Sequence, residues 1–231
     1  MIKNTLPPGG QQSFFGEDAA VYFVQGGQYI FRWRDTDTNR YRSKPVSPQA
    51  VKAAFAQIET DSGWIPDGIL RIGHNRDGAW FVQAVPAQRT ELLIHGDDDE
   101  TAEITVPLPA FVFVGCGKKY GVWAVKDQMP TPLSTLYQAP LPNVESDGSI
   151  CWGQNSPGPA NAATAHIAWA TFIQSPFNGD LIQDKSVLDD NDIRRHLVAL
   201  SKQDITEYPL ADLVQCPHGI TLEVITQEIV R

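Results

Sequence analysis

A cysteine and an asparagine, eight residues apart in a proline-rich segment, are the residues of this sequence best suited to chemistry. Cys151 follows Gly148-Ser149-Ile150, and Asn143 follows Pro142. A thiol is nucleophilic even at its ordinary pKa, and it can carry an acyl group as a thioester. The attack of an amine on a thioester passes through an oxyanion, which an amide donor in a rigid turn would stabilise. The pattern therefore predicts acyl transfer on Cys151, with Asn143 as the oxyanion donor.

Each of these side chains also has a simpler interpretation. A lone cysteine such as Cys151 is most often an inert core thiol, and Asn143 could be a turn residue that caps its own backbone. His166, downstream of the cysteine on a predicted helix, is a candidate base for a thiol hydrolase, although a half-buried structural histidine is the alternative. An acceptor lysine must lose a proton, and three groups are candidates to flank the site for this purpose: Asp180, Asp184 and the loop 156–161.

The other two cysteines predict neither a disulfide framework nor a metal site. Cys116 and Cys216 lie 35 and 65 residues from Cys151, which is not the spacing of a disulfide scaffold or of a zinc knuckle. Cys116 falls in a glycine-rich turn, where we expect no function. His218 follows Cys216 closely but lacks a second ligand pair at zinc spacing. We therefore predict no metal and no cofactor.

Composition and charge exclude several classes of partner. The chain has 27 acidic and 18 basic residues, for a formal net charge of −9, which argues against a broad nucleic-acid footprint or binding to an anionic membrane. The run Asp97-Asp98-Asp99 is interpreted as a solvated turn, with contact to a basic partner surface as the alternative. No apolar stretch approaches membrane-spanning length, and the start of the sequence lacks a leader pattern. These features predict a cytoplasmic protein.

The segment around Cys151 resembles the active-site stretch of ubiquitin-conjugating enzymes, in which a His-Pro-Asn triplet precedes a short loop, a glycine and an Ile-Cys pair. Pro142-Asn143 matches two triplet positions, the spacing of eight residues is the family's common one, and Gly148-Ser149-Ile150-Cys151 matches throughout. Leu141 stands where eukaryotic members have a histidine that holds the loop by hydrogen bonds. Since leucine cannot do this, packing of Leu141 and Trp152 is expected to hold the loop instead.

Further matches make residues 69–180 similar to the bacterial branch known as prokaryotic family D. They are Val106-Pro107-Leu108-Pro109-Ala110, Trp123-Ala124-Val125, Pro132–Tyr137, Trp169, Phe172 and Ser175-Pro176-Phe177. This branch includes the PRTRC system protein B group and the conjugating enzymes of antiphage operons.

The resemblance implies a transferase that receives a ubiquitin-like modifier from an activating enzyme, carries it as a thioester on Cys151 and passes it to an amine of a target protein. It also implies a bacterial operon with a metalloprotease that removes the modifier, and a role in antiphage defence. A non-catalytic scaffold of the same fold, which only binds the modifier or the activating enzyme, is the first rival. The thiol hydrolase that uses Cys151 and His166 is the second.

The elements around this segment predict an α+β fold. Six β-prone runs with short links predict an antiparallel β-meander, at residues 68–72, 79–85, 89–94, 102–106, 111–114 and 120–125. Residues 127–160 show hardly any periodicity, and a loop of this length is usually functional. Two flanking helices follow, one over 164–173 with Ile167, Ala168 and Phe172 on its apolar face, and one after Asp192 with Ile193, Leu197 and Leu200. Residues 220–230 alternate weakly and favour a strand.

The N-terminal part is predicted to extend this core. Residues 1–16 are interpreted as a flexible terminus, and residues 17–65 as a hairpin around Gln25–Gln28 followed by a helix, with Ser47 as its N-cap and Pro48 at its first position. Residues 66–231 would form the ubiquitin-conjugating-like domain and its C-terminal extension. The apolar residues of the N-terminal part are too many for a free appendage, and we expect them to pack on the meander.

Truncation tests this expectation. Removal of residues 1–60 should expose a large apolar patch and give aggregated or molten protein, whereas removal of residues 1–13 should leave the melting temperature near that of the intact chain. Size-exclusion chromatography and thermal denaturation of both fragments measure the outcome. A well-folded fragment that begins near Asp61 would show instead that the N-terminal part is a detachable module.

Overall fold

The computed structural model of the chain describes residues 19–24, 28–56, 64–96 and 100–230. The chain divides into two compact units, Met1–Gly63 and Trp64–Arg231. Four predictions fall partly or wholly outside the described residues: the terminus 1–16, the turn Gln25–Gln28, the end of the first helix near Thr60, and the acidic run Asp97–Asp99.

The first unit contains a three-stranded antiparallel sheet and one helix. Its elements are β1 (Ala19–Val24), β2 (Gln28–Arg34), β3 (Tyr41–Val46) and α1 (Pro48–Ala56), and the strand order is β1-β2-β3. The third strand was not predicted, and a turn at Asp35 precedes it. Asp35 makes that turn, because its Oδ1 accepts from the main-chain amides of Asp37 and Thr38. Ser47 Oγ accepts from the Ala50 amide at 3.1 Å and caps α1.

The second unit contains seven strands. They are β4 (Ile69–Asn75), β5 (Gly78–Val85), β6 (Gln88–His95), β7 (Thr101–Leu108), β8 (Ala110–Cys116), β9 (Lys119–Val125) and the short β10 (Tyr137–Gln138). Five of them form an antiparallel sheet in the order β10-β9-β8-β5-β4, while β6 and β7 form a separate two-stranded ribbon. The first six strands lie within a few residues of their predicted positions.

The prediction of a meander in chain order is wrong at one place. β5 pairs with β8 and not with β6. The β6–β7 ribbon is therefore an insertion in the sequence between two strands that are neighbours in the main sheet. Proline lacks the N–H that a ladder needs, and Pro86 directly follows β5. β8 is buried from Ala110 to Gly115, whereas β6 alternates between exposed and buried residues. A central position between two layers suits the continuously apolar strand.

Both faces of the main sheet are covered by helices of the described chain. These are α2 (Ala165–Ile173), α3 (Ile193–Ser201) and α4 (Leu222–Val230). Phe81, Phe111 and Phe113 belong to one buried cluster with residues of α2 and α3. Val82, Val112 and Trp123 belong to a second cluster with Leu222 and Ile225 of α4. The alternation along β5, β8 and β9 therefore serves two cores, since successive side chains point to opposite faces.

Two predictions about the helices need correction. Ile167 is 54% exposed, and the buried face of α2 consists of Ala165, Ala168, Phe172 and Ile173. The tail is a helix and not a strand. Its buried residues, Leu222, Ile225 and Thr226, recur at helical spacing. No helix of the described residues is long and apolar enough to cross a membrane.

Candidate active site

The segment between Asn143 and Cys151 is a tight hairpin. The Cys151 amide donates to the Asn143 carbonyl at 2.8 Å, and the Glu145 amide donates to the Ser149 carbonyl at 2.8 Å. Between these bonds, Val144 and Ile150 face each other in an antiparallel bridge. Asn143 and Cys151 are therefore directly opposite each other, so their side chains extend from the same face of the hairpin. The predicted spacing of eight residues brings the two functional groups together for this reason.

The main sheet holds one side of this hairpin. The Ile150 amide donates to the Tyr120 carbonyl at 3.0 Å, and the Val122 amide donates to the Gly148 carbonyl at 2.8 Å. Gly148 has φ +89°, and a Cβ at this position would lie 2.1 Å from the Trp123 indole. A glycine is needed here for both reasons. The hairpin is thereby fixed to β9.

The backbone of Asn143 is held by hydrogen bonds, whereas its side-chain oxygen has no hydrogen-bond partner among the described residues. Its φ of +60° lies in the left-handed region, which asparagine tolerates better than most residues. Its amide donates to the Asp180 carbonyl at 3.1 Å, and its carbonyl accepts from Cys151. The buried side-chain Oδ1 has no hydrogen-bond partner among the described residues. The backbone-capping alternative is therefore not the observed role of this side chain.

The two side chains line one small cleft. It has a volume of about 150 Å³, and its walls include Asn143, Cys151, Trp152, Phe172, Ser175 and Asp180. Of the three cysteines, all in the described part of the chain, Cys151 is exposed, Cys116 is partly buried and Cys216 is buried. Burial raises the pKa of the Cys216 thiol to about 11, so this thiol is protonated at neutral pH. Cys151 is the thiol that a partner can reach.

Asp180 is the acidic residue that the structure places beside the thiol. It lines the same cleft as Cys151, and its carboxylate accepts from Asn178 Nδ2 at 2.9 Å. The second candidate, Asp184, lines a neighbouring cavity of about 440 Å³ and not this cleft. The third candidate, the loop 156–161, does not contribute to the lining of the cleft either.

His166 is not part of the cleft. It is exposed on α2, whereas the helix presents Phe172 to the cleft. The alternative of a half-buried structural histidine is wrong, because the His166 side chain is exposed. No histidine of the described residues lines the cleft beside Cys151, and the described residues hold no group of three or more His, Cys, Asp and Glu side chains placed to bind a metal.

Packing fixes the residues that flank the hairpin. Leu141, at the position where eukaryotic ubiquitin-conjugating enzymes have a histidine, is fully buried in the core cluster. Trp152, next to the thiol, packs edge-to-face against Tyr120 and Phe172, with ring centroids 5.4 and 6.0 Å apart. Leu141 and Trp152 anchor the two ends of the hairpin in the same apolar cluster, as the sequence predicted.

Sequence reasoning missed a buried polar network behind the hairpin. Lys185 is 2% exposed, and its Nζ donates to the Val144 carbonyl. The next residue, Ser186, donates to Asp212 Oδ1 at 2.6 Å, and Tyr208 donates to Asp212 Oδ2 at 2.6 Å. These residues come from distant parts of the chain and share no motif, so no local pattern in the sequence indicated them.

A mixed α/β fold with antiparallel sheets, bearing a cysteine on such a hairpin, is compatible with the ubiquitin-conjugating (E2) class. The family model of prokaryotic E2 family D matches residues 46–216, which is well over half of the chain, and the chain belongs to this family. The match is longer than the predicted resemblance over 69–180. No curated protein and no solved structure matches the chain. Membership links the chain to ubiquitin-like conjugation, and in general terms to an activating enzyme and a modifier.

Substitution of Gly148 tests how the hairpin is fixed. Gly148→Ala should lower the free energy of unfolding by about 2–3 kcal/mol, because the methyl group would clash with the Trp123 indole and φ is positive. Urea denaturation measures this loss. Gly158→Ala is the matched control, since Gly158 also has a positive φ, of +79°, but has open space around its Cα. An equal loss in both variants would show that the contact with Trp123 is unimportant.

Proposed function

We propose that this protein is a conjugating enzyme that carries a ubiquitin-like modifier as a thioester on Cys151. The observation that carries the proposal is that Cys151, the exposed cysteine of the three, is paired across a hairpin with Asn143. The side-chain oxygen of Asn143 has no hydrogen-bond partner among the described residues. The family of the chain supports the same conclusion.

In the first step, the Cys151 thiolate attacks the carbonyl carbon of the modifier's thioester with the activating enzyme. A new C–S bond forms, the old C–S bond breaks, and the thiol of the activating enzyme leaves as a thiolate. In the second step, an amine of the target attacks the same carbon. A C–N bond forms, Cys151 leaves as a thiolate, and the amine loses a proton.

Asn143 is assigned to the oxyanion of these steps. Its side chain lines the cleft with the thiol, and its backbone is already held by the hairpin and by Asp180. A donor that is fixed before the reaction stabilises the developing charge without reorganisation. Because Asn143 Nδ2 belongs to the same short amide, it can donate to an oxygen formed next to Cys151.

Asp180 is assigned to the incoming amine. A carboxylate in the cleft wall favours the approach of a lysine and can accept its proton as the C–N bond forms. The hydrogen bond from Asn178 Nδ2 orients this carboxylate. The main-chain hydrogen bond from the Asn143 amide to the Asp180 carbonyl joins the segment of the acid to the hairpin.

The rival functions have less support. A thiol hydrolase would need a base beside Cys151, and His166 is exposed on α2 and does not line the cleft. A non-catalytic scaffold would not need an exposed thiol opposite an asparagine in the same cleft. The wider proposals, that the target receives the modifier on an amine, that an operon supplies a metalloprotease, and that the pathway serves antiphage defence, are based on the resemblance of the Cys151 segment and the family.

Thioester formation tests the main proposal. With ATP, its activating enzyme and its modifier, the protein should gain a band on a non-reducing gel that a thiol reductant removes. Cys151→Ala should abolish this band, while Cys116→Ala and Cys216→Ala should keep it. A Cys151→Lys variant that loads should hold the modifier through an amide that reductant does not cleave. A reducible band that persists in Cys151→Ala would contradict the assignment.

Replacement of Asn143 separates its two roles. Asn143→Gly keeps the positive φ and the main-chain hydrogen bonds but removes the amide donor, so loading should change little while discharge to free lysine slows by about 10- to 1,000-fold. Single-turnover discharge assays measure the rate. Asn143→Ala should additionally lower the melting temperature, because alanine is strained at φ +60°. Equal loss of loading and discharge in Asn143→Gly would show that Asn143 fixes the loop and does not stabilise the oxyanion.

A further inference from the structure

Lys185 is a buried cation whose hydrogen bond goes to a main-chain carbonyl. Its side chain is 2% exposed, and Nζ donates to the oxygen of Val144, the residue after Asn143. Lysine is rarely buried to this extent without a carboxylate partner, because removing the ammonium group from water is costly. A contact that persists at such a cost calls for an explanation beyond stability.

The geometry of the hairpin shows why Val144 needs this donor. The hydrogen bonds between the two strands join Asn143 to Cys151 and Glu145 to Ser149, so Val144 and Ile150 form a pair without bonds to each other. In such a pair, the main-chain groups point away from the hairpin. The outward amide of Ile150 donates to Tyr120 of β9. The outward carbonyl of Val144, on the opposite strand, accepts from Lys185.

The backbone of Lys185 is itself anchored on both sides. Before it, the Asp184 amide donates to the Asp190 carbonyl at 2.8 Å. After it, Ser186 Oγ donates to Asp212, a buried carboxylate that also accepts from the Leu188 amide and from Tyr208. His196 Nε2 of α3 lies 3.0 Å from the same carboxylate. A rigid base under a long side chain reduces the conformational entropy lost when that side chain is ordered.

The charges around Lys185 come mainly from the hairpin. Glu145 and Asp147 of the hairpin, Asp184 before the lysine and the Cys216 thiol are the titratable groups that act on it. Burial lowers the pKa of Lys185 to about 8, while the three carboxylates act to raise it. The side chain is therefore charged at neutral pH and attracts the two acids of the hairpin turn.

We propose that Lys185 is a positioning residue that holds the hairpin from the side opposite β9 and so sets Asn143 against Cys151. The Leu141 side chain cannot form a hydrogen bond to the hairpin, whereas Lys185, later in the sequence, forms one with the Val144 carbonyl. The effect on catalysis rests on the proposed function, but the effect of this hydrogen bond on the hairpin does not. Loss of this hold should loosen the hairpin without unfolding the core.

Hydrogen exchange of the hairpin amides tests the hold without any partner protein. In Lys185→Met, which has a similar length and suits a buried site, the amides of Cys151 and Glu145 should exchange about 10- to 100-fold faster than in the wild type. Lys118→Met, at an exposed lysine in the turn between β8 and β9, should leave their exchange unchanged. The melting temperature of Lys185→Met should stay close to that of the wild type, since relief of the buried charge offsets the lost bond.

The pH dependence gives a second readout, which a merely space-filling residue would not alter. As the pH rises from 7 to 9, Lys185 loses its charge but keeps an N–H donor, so the protection of the hairpin amides in the wild type should fall towards the intermediate level of Lys185→Gln and stay above that of Lys185→Met. The Cys216 thiol, with its pKa raised to about 11, stays protonated over this range. Lys185→Gln keeps a donor without the charge, and it should show intermediate protection that is independent of pH.

The outcomes separate this inference from the proposed function. Unchanged exchange of the Cys151 and Glu145 amides in both folded Lys185 variants would overturn the positioning role, whether or not the protein forms a thioester. Faster exchange in a protein that forms no thioester would support the hold and overturn the conjugating function. If the positioning role and the conjugating function are both confirmed, Lys185→Met should slow discharge of the thioester by about 10-fold or more, and Lys118→Met should not change the discharge rate.

Discussion

The pairing of Cys151 with Asn143 across the hairpin is the constraint on which the rest of the site depends. A single main-chain bond of 2.8 Å joins the amide of one residue to the carbonyl of the other, and it brings together two side chains that are eight residues apart in the sequence. The turn between them must close within this length, which requires the positive φ of Gly148 and its close approach to Trp123. Because main-chain atoms set this geometry, the side chains of Asn143 and Cys151 do not have to maintain it.

The aromatic cluster behind the hairpin explains how an exposed thiol can be rigidly placed. Trp152 follows Cys151 directly and packs edge-to-face on Tyr120 and Phe172. Tyr120 in turn stacks on Phe113, with ring centroids 5.6 Å apart. Edge-to-face pairs restrict ring orientation as well as position. The thiol therefore lies at the surface on a backbone whose neighbouring residue belongs to the core.

Polar contacts behind the hairpin determine its orientation, whereas the apolar core determines where it lies. Asp212 has a lowered pKa: burial acts to raise it, but the hydrogen bonds from Ser186, Tyr208 and the Leu188 amide outweigh that effect. Such a fully bonded carboxylate can fix several segments in one arrangement. Through Ser186 it places Lys185 next to the carbonyl of Val144. The network thus connects the C-terminal part of the chain with the hairpin.

Features that depend on local patterns can be read from the amino-acid sequence. The strands β4 to β9, the helix cap at Ser47 and the spacing of eight residues between Asn143 and Cys151 all follow from neighbouring residues. Features that depend on distant residues are set by how the whole chain packs. Packing puts β8 beside β5, because a continuously apolar strand needs two covered faces. Packing also places Asp180, and not Asp184, in the wall of the cleft. It brings Lys185 to Val144, a residue 41 positions away in the sequence, and such a contact depends on how the chain packs.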